Sequence, residues 1–132
     1  MSIETDFADL QTYLQAKGLE AVVQRLTTGG YLVTVKNVPI RQGWSRATTD
    51  VLFLAPPGYP AAQPDCFWVT PQLRLQGGGT PQNSNDGTAI PGDPVPGRLL
   101  TWFSWHLQSW NPSKDKLALF YKTVMNRLIP AR

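Results

Sequence analysis

Ile3, Phe7, Leu10 and Leu14 recur at the spacing of one helical face, which predicts a helix from about Ile3 to Lys17. Ser2 or Thr5 is placed to cap its start and Gly18 to stop it. The pattern then changes period. Leu19 to Leu26 alternates loosely, and Thr27-Thr-Gly-Gly30 is a turn signal in which glycine can take positive φ. Tyr31 to Val38 sets Tyr31, Val33 and Val35 on one face before Pro39 ends the run. Ile40 to Arg46 reads as an open loop. Thr48 to Leu54 is a third strand closed by Pro56-Pro57-Gly58, and Cys66-Phe-Trp-Val69 is a short fourth. Short connections between such runs predict a four-strand antiparallel meander.

From Leu73 to Gly97 no period is visible. Gly77 to Gly79 removes side chains where the backbone must turn or come close to something, and Pro91, Pro94 and Pro96 stiffen the second half of the segment. Asn111 and Pro112 then read as the N-cap and first residue of a helix that carries Leu117, Phe120, Tyr121, Val124 and Leu128 on one face and ends at Pro130. Helix, meander, a long irregular loop from about Leu73 to Leu100, and helix make an α+β fold with both helices on one sheet face. The expectation is a single domain spanning 1–132.

Composition narrows the function classes. A chain of 132 residues is large enough for its own core. No apolar run is long enough to cross a bilayer, and the acidic start Met1 to Asp6 lacks a signal-peptide pattern. Cys66 is the only cysteine, so an internal disulfide and a cysteine-based metal site are excluded. No metal, cofactor or membrane partner is expected, and the cytoplasm is the simplest location. The net charge of +3 comes from scattered Lys and Arg, an ordinary surface. Single-stranded nucleic acid would want aromatics interleaved with cations, and only Arg98 and Lys114 flank the tryptophans at 102, 105 and 110. No nucleic-acid partner is expected. A loop this long, anchored by prolines and aromatics, is where function belongs.

The landmarks in this order resemble the ubiquitin-conjugating enzyme (UBC-like) family. Tyr59-Pro60 with Pro64 stands where that family has its Tyr-Pro turn. Thr80-Pro81-Gln82-Asn83 stands in place of His-Pro-Asn, and Trp110-Asn111-Pro112 in place of Trp-Ser-Pro. Gln63-Pro-Asp-Cys-Phe-Trp-Val69 and Trp102-Phe-Ser-Trp-His106 are closer to a bacterial subgroup encoded near ubiquitin-like proteins, activating enzymes and deubiquitinase-like metallopeptidases. The resemblance implies a UBC-like fold and structural roles for Tyr59, Pro60, Pro64, Trp110 and Pro112. It implies an activating enzyme, a ubiquitin-like protein and a deubiquitinase-like metallopeptidase as partners. The departure is chemical: Asp86 to Ile90 lies where the family keeps its catalytic cysteine and contains none. Cys66 is expected to share a strand face with Trp68, to meet the helices by resemblance, and to be buried and inert.

Ser104 and His106 are the nucleophile and base that the loop region offers. At i and i+2 they share a face of extended backbone but not of a helix. By resemblance, Asn83 supports the loop and steadies an oxyanion. Trp102 and Trp105 are either core residues or a partner-facing patch, and with Phe7 and Tyr13 of the first helix they are the binding candidates. Two roles compete within a ubiquitin-like conjugation pathway. One is an adaptor that binds the activating enzyme or the ubiquitin-like protein without a thioester, preferred because the thiol is missing. The other is an acyl carrier that forms an oxyester on Ser104 with His106 as base. An unrelated ligand-binding α+β domain is the third possibility.

Overall fold

The computed structural model describes residues 3–40 and 42–132, which leaves Ser2 outside the described residues. Helix α1 (Ile3–Gln15) buries Asp6, Leu10 and Leu14. Gly18, at φ +71, ends it: the Leu19 N–H reaches the Leu14 carbonyl at 3.0 Å and the Gly18 N–H that of Gln15 at 3.1 Å. These bonds satisfy carbonyls that the helix leaves open, and glycine takes the left-handed residue without a Cβ penalty.

Strands β1 (Glu20–Arg25), β2 (Tyr31–Pro39), β3 (Thr48–Ala55) and β4 (Phe67–Thr70) pair antiparallel in sequence order, the expected meander. The sheet then continues. Strand β5 (Ser84–Asn85) pairs with β6 (Thr101–Phe103), which pairs with β4, so the order is β1-β2-β3-β4-β6-β5. Six strands stand where the pattern predicts four, because β5 and β6 are too short to show a period. Arg41, within the expected open loop from Ile40 to Arg46, lies outside the described residues, and the rest of that stretch is tied to the fold. Trp44 is buried, bridges to Leu75, and donates its indole N–H to the Leu128 carbonyl at 2.8 Å.

Each sheet face has its own core. On the helix side Leu10, Leu14, Val51, Phe53, Phe67, Phe103, Phe120 and Val124 are buried together. A fully buried Phe or Leu contributes roughly 1.5–3 kcal/mol, so this layer dominates the fold's stability. On the other face Leu26, Leu32, Leu52 and Trp68 are covered by Ile90 and Leu100 of the long loop. Polar bonds hold that cover in place. Trp68 Nε1 donates to the Thr88 carbonyl at 2.9 Å and Thr70 Oγ1 to that of Leu99 at 2.6 Å. Asp86 receives the Arg74 guanidinium on both oxygens and the Thr101 hydroxyl at 2.7 Å.

This arrangement corrects the expectation for Cys66. It does group with Trp68, but under the loop and away from the helices, and it is half-buried. Burial still pushes its thiol pKa up.

Helix α2 (Leu117–Leu128) begins five residues after Pro112, with Lys116 as an extended N-cap residue. Asn111 does cap, but it closes a separate turn. Its side chain accepts the Ser113 N–H at 3.0 Å, its carbonyl accepts that of Asp115 at 2.8 Å, and its own N–H goes to the Asp115 carboxylate at 2.7 Å. Local bonds of this kind compete with helix extension, which is why Asn-Pro at 111–112 does not start α2. Among the described residues no helix is long and apolar enough to cross a membrane.

Candidate functional site

β6 delivers the site. Phe103, its last residue, is fully buried and stacks on Phe67 with centroids 4.8 Å apart. Beyond it the chain stays extended and tied on both sides. The Ser104 N–H donates to the Asn83 carbonyl at 2.8 Å, and the Trp105 carbonyl accepts the Cys66 N–H at 3.0 Å. Extended backbone puts residues i and i+2 on one side. Ser104 Oγ accordingly lies 3.4 Å from His106 Nε2. The other imidazole nitrogen, Nδ1, is hydrogen-bonded to the Asp65 carboxylate.

With Nδ1–H donated to Asp65, Nε2 is left as an acceptor facing the Ser104 hydroxyl. The three groups form a nucleophile, base and orienting carboxylate in the relation that acyl-transfer sites use. A cavity of about 300 Å³ opens beside them, lined by Asn83, Ser104, Trp105, His106 and Gln108. It is open to solvent: the His106 and Asp65 side chains are 58% and 54% exposed.

Asp65 was not among the sequence candidates. It lies 41 residues from His106, and only the pairing of two distant landmarks, Gln-Pro-Asp-Cys and Trp-Phe-Ser-Trp-His, points to it. Cys66, next to it, has φ +53, an uncommon backbone for a residue with a side chain. Asn83 has φ +57, which Asn tolerates better than most residues.

A second residue absent from the sequence candidates lies beneath the site. Arg127, in the last turn of α2, is 1% exposed. Its Nη2 donates to the Gln82 carbonyl at 2.6 Å and to the Arg132 carbonyl at 2.9 Å. Its guanidinium sits 4.8 Å from the Phe103 ring centroid and 5.7 Å from that of Trp105, within cation–π range. Arg127 thus touches the turn before Asn83 and both residues that flank Ser104. Burial pulls its pKa down to about 10, which still leaves it charged at neutral pH. Nη1 is buried without a hydrogen-bond partner among the described residues.

Other expected site residues are placed elsewhere. Trp105 borders the cavity and packs partly against the helix-side core, with Arg132 at 5.4 Å from its ring. Trp102 packs with Cys66 on the loop-covered face. Phe7 and Tyr13 pack half-buried from α1 against the core and do not line this cavity. The Tyr13 ring is flanked by Lys122 Nζ at 4.7 Å and Lys17 Nζ at 5.1 Å. Tyr59 donates its hydroxyl to the buried Asp6 at 2.6 Å and tilts against Trp110, whose indole N–H donates to the Pro60 carbonyl at 2.7 Å. Pro64 is buried, whereas Pro112 is exposed in its turn.

A meander backed by terminal helices, with its polar cleft close to a pinned Tyr-Pro turn, is the architecture of the E2-like, or UBC-like, class. Within it, the family model described as Prokaryotic E2 family E matches residues 7–131, and the chain belongs to that family. Membership gives it a UBC-like role in a bacterial ubiquitin-like conjugation system. No curated protein and no solved structure matches the chain.

Proposed function

We propose that this protein receives the C-terminal acyl group of a ubiquitin-like protein on Ser104, as an oxyester, from an activating enzyme in the cytoplasm. The hydrogen-bonded series Asp65, His106 and Ser104 is the observation that carries the proposal. Ser104 Oγ attacks the activated carbonyl carbon, its proton passes to His106 Nε2, and Asp65 stabilises the imidazolium. The new C–O bond forms as the bond to the donor breaks, and the leaving group takes the proton from His106. The gap of 3.4 Å between Oγ and Nε2 is of the kind that tightens when substrate binds. Asn83 lines the same cavity, where an amide donor to the oxyanion is worth about 3 kcal/mol. Cys66 does not line it, and its raised pKa keeps the thiol protonated.

Incubation with the cognate activating enzyme, ubiquitin-like protein and ATP tests this. The expected adduct survives mild thiol and is cleaved by hydroxylamine or strong base. Ser104→Ala abolishes it and His106→Ala slows its formation. If both partners bind tightly and no adduct forms, the protein is an adaptor and the carrier role is wrong.

A further inference from the structure

We infer that the same site hydrolyses esters: the protein is a slow esterase toward small activated esters and toward its own acylated Ser104. The inference rests on the Ser104, His106 and Asp65 set of the carrier proposal but requires no conjugation partner.

Water access is the deciding observation. An ester on Ser104 discharges when a general base faces the water that reaches it, and both conditions are met here. The cavity at Ser104 opens to solvent, and the imidazole that serves as base is 58% exposed. Once Ser104 is acylated, its hydroxyl proton is gone and Nε2 is again a free acceptor. A water molecule can occupy the position the hydroxyl proton faced.

The cycle balances without a co-reactant. In the first half, Oγ bonds to the acyl carbon, the ester's alkoxide or phenolate leaves, and His106 carries the proton between them. In the second half, water attacks the same carbon and gives a proton to Nε2. The C–Oγ bond breaks, Ser104 takes the proton back, and a carboxylic acid departs. With an activated ester the second half is the slower one, because the serine alkoxide is a poorer leaving group than a phenolate. On the conjugation pathway this makes the acylated protein self-discharging unless a bound partner covers the site.

The test uses the purified chain alone with p-nitrophenyl acetate. The expected result is a burst of about one equivalent of p-nitrophenolate, followed by slow turnover, with the acetyl group mapped to Ser104 by peptide mass spectrometry. Ser104→Ala abolishes the burst, and His106→Ala slows acylation by about 10²- to 10⁴-fold. Cys66→Ala leaves the burst unchanged. Circular dichroism confirms that each variant keeps its fold. Absence of a burst, or acetyl found on Cys66 or on lysines and insensitive to Ser104→Ala, overturns the inference. A Ser104 adduct with the ubiquitin-like protein but no acetyl burst defeats the esterase and leaves the carrier role standing. A burst without that adduct does the reverse.

Discussion

Tyr59 shows how one side chain of a recognisable motif acts physically. Its hydroxyl donates to Asp6, a carboxylate only 1% exposed in the first turns of α1. Burial, reinforced by Asp6, pushes its pKa far above the usual value, so it remains a donor at any physiological pH. The hydroxyl joins the first turn of α1 to the Tyr-Pro turn that follows β3. Tyr59→Phe removes the donor and leaves the buried carboxylate short of a partner. The expected loss is about 1–3 kcal/mol in urea denaturation, with Phe preserving the ring packing on Trp110. At this scale the sequence was partly legible. Ser104 and His106 could be paired by spacing, provided the backbone was extended. Asp65 could not, because a long-range contact leaves no periodic trace, whereas Arg127 stands three residues after Val124 on the apolar stripe of α2, the one signal that marks it.

At the scale of elements, α2 is fastened to the site through Arg127. Nη2 alone donates to both carbonyls, so what a lysine there chiefly lacks is the flat guanidinium that lies on Phe103 and Trp105. Arg127→Lys should cost about 2 kcal/mol or more, read from the thermal or urea transition. It should also shift the fluorescence of Trp105 and slow any reaction at Ser104, since the turn at 82–83 loses its anchor. The meander and both helical faces were legible from apolar periodicity. The start of α2 was not, because Asn111 and Asp115 satisfy one another in a turn that looks from sequence like a helix cap. β5 and β6 were not, because strands of two and three residues exist only through their neighbours.

Across the whole molecule, Asp86 joins the loop-covered face to β6. Its hydrogen bond from Arg74, helped by that from Thr101, holds its carboxyl below the usual carboxylate range. A depressed folded-state pKa adds stability above the unfolded value of about 4, and that contribution is lost as pH falls through the folded value. The unfolding midpoint should therefore drop on acidification below about pH 4, with Trp68 fluorescence reporting release of the cover. Asp86→Asn should start less stable at neutral pH and show a shallower acid decline.

The cover that residues 86–100 form over the sheet has a kinetic consequence. β3 and β4 have apolar layers above and below them, whereas β5 closes the sheet as an edge two residues long. Amide hydrogens in deuterated solvent should therefore exchange last from the middle of β3 and β4 and much earlier from β5, the edge to which Ser104 is bonded through Asn83. Ser104 sits on the quickly exchanging margin of a slab that stays shut. The reactive segment can breathe toward an incoming chain while the layers that hold it never come apart.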